Sequence, residues 1–243
     1  MRAMWEVLLM LFLGVFPNTI GSTKPYKSNS ELNHCHCLSW RVAVEANNVK
    51  GWRTVPTQCL HYIEHYMLGG QYESDLEMIM DQISNYIDDI VLTANSSGMN
   101  AWILDVDDTC ISNLLYYRGK HFGCNPYDPM GFKTWAMRGA CPAVPTVLKM
   151  FEKLVENGFK VFLLTGRDEE TLGQTTMYNL HNEGFIGYER GQSAVLFKSA
   201  MRKQLVEQGY RIWGNVGDQW SDLAGDCLGE KTFKLPNPMY CVP

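Results

Sequence analysis

Four short clusters of reactive side chains recur along the chain, each at the end of an apolar run. Asp105-Val106-Asp107-Asp108-Thr109 follows Ala101-Trp102-Ile103-Leu104, and Thr165-Gly166-Arg167 follows the run 159–164. Lys198 closes the run 194–197, and Gly217-Asp218-Gln219-Trp220-Ser221-Asp222 closes 210–216. Brought together, they would form one pocket of several carboxylates, an ammonium and hydroxyls. Carboxylates held that close repel and raise one another's pKa values, so a divalent cation is their natural neutraliser. An all-oxygen donor set with no imidazole nearby favours Mg2+ over zinc. Each cluster alone has a bland explanation. Asp-x-Asp occurs in glycosyltransferases and as surface acid, Thr-Gly-Arg as a turn, and Lys198 as a solvated lysine at a helix start. Asp218 and Asp222 could be a loop carboxylate and a helix cap. All four in this order, each after an apolar run, are a far more specific signal.

The elements that must position these clusters alternate from residue 101 onward. Strands are predicted at 101–105, 159–164, 194–197, 210–216 and 231–235. Between them, Val147, Leu148, Phe151, Leu154 and Val155 mark a helix stopped at Gly158, and another runs to about Glu183 before Gly184. Ser199 is expected to cap a third helix, Ala200–Gln208. This alternation implies an α/β fold: a Rossmann-like, three-layer parallel sheet covered by helices on both faces. In such sheets ligands bind beyond the C-terminal ends of the strands, where all four clusters fall.

Upstream, Ser74 and Glu77 form a capping-box pair ahead of Leu76, Ile79, Met80, Ile83, Ile87 and Ile90 at helical spacing. Residues 23–72 read as irregular and aromatic-rich. Residues 111–143 interrupt the first crossover and carry Tyr116, Tyr117, Phe122, Tyr127, Phe132 and Trp135. Most of these are expected to form the insertion's own small core, while a lid of this kind would govern leaving-group selectivity. Cys124 and Cys141 are a candidate staple across it.

The chain of 243 residues is long enough for one full core with additions. Its net charge of −5 gives no electrostatic case for nucleic acid or an anionic membrane as partner. After Arg2, the apolar run Val7–Phe16 is short of the ~20 residues a bilayer span needs but suits a signal-peptide core. The expected organisation is a signal peptide over 1–22, an N-terminal helical or irregular extension over 23–98, and the α/β core over 99–243. The mature chain is then expected to have no membrane association. All eight cysteines lie beyond that cleavage point, and an even number in an exported chain points to disulfides. His34-Cys35-His36-Cys37 resembles a metal cluster but lacks a second ligand pair at zinc-finger spacing. Asn95-Ser96-Ser97 is a glycosylation sequon in an expected loop.

Taken together, these residues resemble the haloacid dehalogenase-like phosphatases, of the class B acid phosphatase type. More closely, they are similar to the plant acid phosphatase and vegetative storage protein family. The likeness takes in Trp40-Arg41-Val42-Ala43-Val44-Glu45-Ala46-Asn47-Asn48, Gly51-Trp52, Val55-Pro56, Cys59 and Gly69-Gly70-Gln71-Tyr72. It continues through Gly217–Leu223 and the tail Phe233-Lys234-Leu235-Pro236. The resemblance implies hydrolysis of small phosphomonoesters through an aspartyl-phosphate on Asp105, with Asp107 as general acid/base. It implies Mg2+ held by Asp105, the backbone carbonyl of Asp107 and Asp218, with Asp222 in support through water. Thr165, with Gly166, and Lys198 would grip the phosphoryl group, and Thr109 would fasten the loop. Arg167 either sits at the pocket edge or pairs with Asp168 or Glu169. The resemblance further implies a secretory destination, extracellular or vacuolar, and a homo- or heterodimer. A rival from the same family is a storage protein with little turnover, some of whose members carry serine at the nucleophile position; Asp105 removes that reason for inactivity. A carbohydrate-active enzyme using Asp105 and Asp107 as a metal pair explains neither Thr165-Gly166-Arg167 nor the 217–222 segment.

Overall fold

β1 (Met99–Asp105) is the middle of the sheet, and its last five residues are all buried. A strand covered on both faces must be apolar throughout, which is why it reads as an unbroken run. The computed structural model describes residues 28–93, 99–190 and 198–242. The expected signal peptide, the sequon at Asn95 and the expected strand 194–197 lie outside these residues. β2 (Lys160–Leu164), β3 (Glu189–Arg190), β4 (Tyr210–Gly217) and β5 (Lys231–Lys234) join β1 in the order β3-β2-β1-β4-β5. All four pairings are parallel.

Alternate side chains of β1 enter two different cores, as the period of two demands. Trp102 and Leu104 pack with Ile83 and Ile87 of α3 (Gln71–Thr93) and with Phe151 and Leu154 of α6 (Pro145–Glu156). Ala101 and Ile103 pack with Phe162 and Leu164 of β2 and with Met201 and Leu205 of α8 (Lys198–Glu207). The result is the helix–sheet–helix sandwich expected of the sequence. Gly214 of β4 lies against the Trp102 ring so closely that any Cβ there would strike it. The β1–β4 register shifts at that point, pairing Ala101 with Ile212 and Trp102 with Gly214.

Three expectations about the helices need correction. Residues 23–72 are not irregular throughout: α1 (Asn29–Glu45) and α2 (Leu60–Leu68) occupy much of them. Only Cys37 and Val44 of α1 are buried, two turns apart, so the apolar stripe is too thin to show as periodicity. The helix is instead defined by a Ser28–Glu31 capping box and tied down by the Cys37–Cys59 disulfide. Ser74 does not start its helix, because α3 begins at Gln71 and the Ser74 amide already donates to the Gly70 carbonyl. Gly70, at φ +94°, makes the turn out of α2 that allows this earlier start. Ser199 likewise lies inside α8, and its hydroxyl accepts from the Asp226 amide, pinning the 225–226 turn to the helix.

α7 (Gln174–Asn182) follows a π-helical turn, Glu169–Gly173. The insertion after β1 contains α4 (Leu114–Gly119) and α5 (Pro129–Ala136). Its expected staple is absent, since neither Cys124 nor Cys141 is disulfide-bonded. Cys124 lies by the Pro56 carbonyl, and Cys141 is buried between Asn113 and Arg167. The insertion is held by aromatic packing instead: Tyr116 on Phe132, and Tyr117 stacked on Tyr240 of the C-terminal tail.

Candidate active site

β1 leads by its crossover to β2 on one side, while β4 lies on the other, so the chain order reverses at β1. Such a switch point leaves a crevice at the C-terminal strand ends. Asp105 ends β1, while Asp218 and Asp222 follow β4. Their carboxylate oxygens come within 4.8 Å of one another, and all three residues are buried. Gly217 makes this approach feasible, because a Cβ there would sit 2.5 Å from the Asp222 side chain. The Asp222 backbone carbonyl is fixed by Asn215 and Arg202, and Asp222 Oδ2 accepts from the Gln219 amide.

Lys198, the first residue of α8, reaches into this triad. Its Nζ donates to Asp105 Oδ1 and, at 2.7 Å, to Asp222 Oδ1. Burial works against its charge, but Asp105 and Asp222 outweigh that and hold the ammonium above the ordinary lysine value. Burial, then the Asp222 charge, pushes Asp105 well up, and Lys198 pulls it back. Burial, with the charges of Asp222 and Asp108, pushes Asp218 up to about 7. One ammonium does not offset three buried carboxylates, and oxygen is the only ligand type offered. That donor chemistry fits a hard divalent cation.

Asp107 does not join the carboxylate triad with its side chain. It turns toward Arg167, whose Nη2 and Nε donate to Oδ1 at 2.7 and 3.0 Å, with Nε 3.1 Å from Oδ2. Asn113 Nδ2 also donates to Oδ1, at 2.8 Å, and Thr165 Oγ1 donates to Oδ2 at 3.3 Å. Arg167 therefore pairs with Asp107, sixty residues away, rather than with Asp168 or Glu169. Its guanidinium is buried and further occupied by Thr176 and Cys141. Asp168 bonds to Thr171 and faces Lys133.

Thr165 accepts from the Arg167 amide, and Gly166 beside it is exposed with open space where a side chain would project. Thr109 is buried and donates to Asp218 Oδ1 at 3.4 Å, joining the loops after β1 and β4.

Several residues at the site have no role assigned from the sequence. Asp108, buried at φ +55°, accepts from the Asn113 amide at 2.7 Å and from Tyr240 Oη at 2.9 Å. Burial raises it to about 7, against the pull of the Asn113 hydrogen bond. Asn237 Nδ2 donates to Asp218 Oδ2 at 2.6 Å, and the Val242 amide donates to Gln219 Oε1. The C-terminal tail thus clasps both acidic loops. Asp108 lies within the first acidic cluster and Asn113 four residues after it, and that is the hint the sequence offers; Asn237 and Tyr240 offer none.

A parallel α/β sheet with an acidic cluster and a lysine at its switch point is the architecture of the haloacid dehalogenase-like hydrolases. The profile of HAD superfamily subfamily IIIB, the acid phosphatases, matches residues 22–243, and the chain belongs to that family. It is 39% identical to Acid phosphatase 1 of Solanum lycopersicum, covering 94% of this chain and 91% of that protein. It is 38% identical to a Stem 31 kDa glycoprotein of Glycine max (85% and 83% covered) and 34% identical to Vegetative storage protein 2 of Arabidopsis thaliana (89% and 84%). The class C acid phosphatase of Bacillus anthracis shares the fold, with a TM-score of 0.64 at 20% identity, covering 76% of this chain and 85% of that one.

Proposed function

We propose that this chain is an acid phosphatase hydrolysing small phosphate monoesters through an aspartyl-phosphate on Asp105, with Mg2+ as its cation. The observation that carries the reading is the buried cluster of Asp105, Asp218 and Asp222 around Lys198 at the sheet's switch point. Asp105 and Asp218, the Asp107 backbone carbonyl, and Asp222 through water would hold the cation. When bound, Mg2+ supplies positive charge that steadies the carboxylates and the incoming phosphoryl oxygens.

In the first half-reaction an Asp105 carboxylate oxygen attacks phosphorus, the bond to the ester oxygen breaks, and Asp107 protonates the departing alcohol. In the second, Asp107 takes a proton from water as its oxygen attacks phosphorus, and phosphate leaves Asp105. Three donors crowd Asp107 Oδ1, which leaves Oδ2, with its longer bonds from Arg167 Nε at 3.1 Å and Thr165 at 3.3 Å, as the oxygen that carries the proton. Lys198 offsets the charge that spreads over the phosphoryl oxygens, and Thr165 and Gly166 line their side of the pocket. Arg167, already engaged, holds Asp107 in place rather than gripping the substrate. The helices inserted over 111–143 act as the lid.

The Cys37–Cys59 disulfide supports an oxidising destination, and we assign the chain to the secretory route, extracellular or vacuolar, with a dimer as its assembly. The deciding test is hydrolysis of p-nitrophenyl phosphate at pH 5–6, with Mg2+ and then with excess chelator. Turnover that stops with chelator and returns with Mg2+ is expected. No turnover from folded, Mg2+-supplied protein would favour a storage role instead, the name carried by relatives such as Vegetative storage protein 2.

A further inference from the structure

Asn113 is a fully buried polar residue at the N-cap of the insertion's α4, yet its side chain does not cap the helix. An asparagine at an N-cap ordinarily accepts from the amides of the first turn. Here the side chain makes no such bond, and Ser112 Oγ accepts from the Leu114 amide in its place. The Asn113 amide group is committed elsewhere. Its Nδ2 donates to Asp107 Oδ1 at 2.8 Å and to Asp108 Oδ2 at 3.3 Å. Its Oδ1 accepts from Trp135 Nε1 of α5 at 3.0 Å and from the Cys141 thiol at 3.5 Å.

The direction of that amide is dictated by chemistry. An indole N–H is a donor only, so the atom facing Trp135 must be the Asn113 oxygen. The NH2 group must then face the aspartates, which accept. With the amide reversed, two donors would oppose each other at Trp135 and an oxygen would oppose carboxylates at Asp107. In a buried site each of those mismatches is costly.

We propose that Asn113, oriented by Trp135, is a positioning residue for the general acid, so that the seating of α5 sets the aim of Asp107. The inference rests on the assignment of Asp107 as the acid given above. Arg167 Nε reaches both Asp107 oxygens at nearly equal distance, and the Asn113 bond adds a further donor to Oδ1, which makes Oδ1 the oxygen spent on the protein. The insertion then controls the proton transfer as well as access.

The test is the dependence of kcat/KM on leaving-group pKa across substituted phenyl phosphates of similar size, in Asn113→Ala, Trp135→Phe and Asp107→Asn. Poor leaving groups need the acid most, and general-acid catalysis supplies roughly 10²–10⁴-fold. Asn113→Ala should lose at least ~10-fold more on phenyl phosphate than on p-nitrophenyl phosphate, and Trp135→Phe at least ~3-fold more in the same direction. A merely structural role would lower both esters equally. Should the alanine variant fail to fold, Trp135→Phe, which removes one N–H and keeps an aromatic ring, decides alone. Equal losses on both esters in the folded variants, with Asp107→Asn steepened, would overturn the positioning role while leaving the phosphatase intact. No steepening in Asp107→Asn would remove the acid assignment and this inference with it.

Discussion

Replacing Arg167 with leucine removes one partner of the ion pair with Asp107 and leaves the other behind. The guanidinium side chain is 2% exposed and Asp107 19% exposed, so the stranded carboxylate is largely desolvated. Breaking a buried pair from one side costs about 3–5 kcal/mol. Asp107 keeps its bonds from Asn113 and Thr165 and some water, which places the expected loss near the bottom of that range, about 3 kcal/mol. For a chain of this size each kcal/mol lowers Tm by about 2–4 °C, so the drop should be about 6–12 °C. Urea titration at neutral pH, with chelator present, gives the free energy directly. The double variant Asp107→Asn with Arg167→Leu should recover part of the loss, because no unpaired charge then remains. Were Arg167 one side of a solvated pair with Asp168 or Glu169, the loss would be below ~1 kcal/mol. A measured loss that small, or no recovery in the double variant, would refute the assignment.

Asp105→Asn should retain the fold and lose at least ~10³-fold in turnover, measured on p-nitrophenyl phosphate with circular dichroism as control; near-normal rates would exclude it as nucleophile. Gly217→Ala should impair the site more than the fold, because the new Cβ would drive the Asp222 side chain from its place. The Mg2+ concentration for half-maximal activity should rise at least ~10-fold, and an unchanged value would show that the loop gives way freely. In the presence of chelator the chain should lose stability as pH rises. Burial raises Asp108 and Asp218 from 3.8 to about 7, so the folded state favours their neutral forms. That stabilisation is complete below about pH 4 and lost as pH climbs through about 7. Denaturant midpoints that stay flat or increase between pH 4 and 7 would contradict it.

Where one periodicity or one unbroken run defines an element, it was legible. β1, β2 and β4 fall on the runs that end in the reactive clusters, and α6 on its helical stripe, because a strand buried on two faces and a helix buried on one leave a direct mark, whereas β5, Lys231–Lys234, is an exposed to half-buried edge strand. α1 left none, since two buried residues in seventeen make no stripe and its anchor is a disulfide to residue 59. Ser74 and Ser199 suggest starts for α3 and α8 that lie downstream of the true ones, for a related reason. A serine followed by a helical pattern is compatible with a cap, but the true boundaries depend on the Gly69–Gly70 turn and on what lies opposite Asp226.

The order and chemistry of the reactive clusters belong to the sequence by itself. A carboxylate just beyond the end of a parallel strand lies by the crevice that strand helps to form. Asp105, Asp218 and Asp222 are brought together accordingly, and Lys198 reaches them from the start of α8. Which polar group satisfies which was decided only by the tertiary structure. Arg167 had two adjacent acids within reach and took Asp107, sixty residues away. Asn113 gave up its helix cap for the acidic loop after β1, and Tyr240 crossed 132 residues to Asp108. Burial makes each such group's pairing obligatory, and packing, not proximity along the chain, determines which partners are there to meet it.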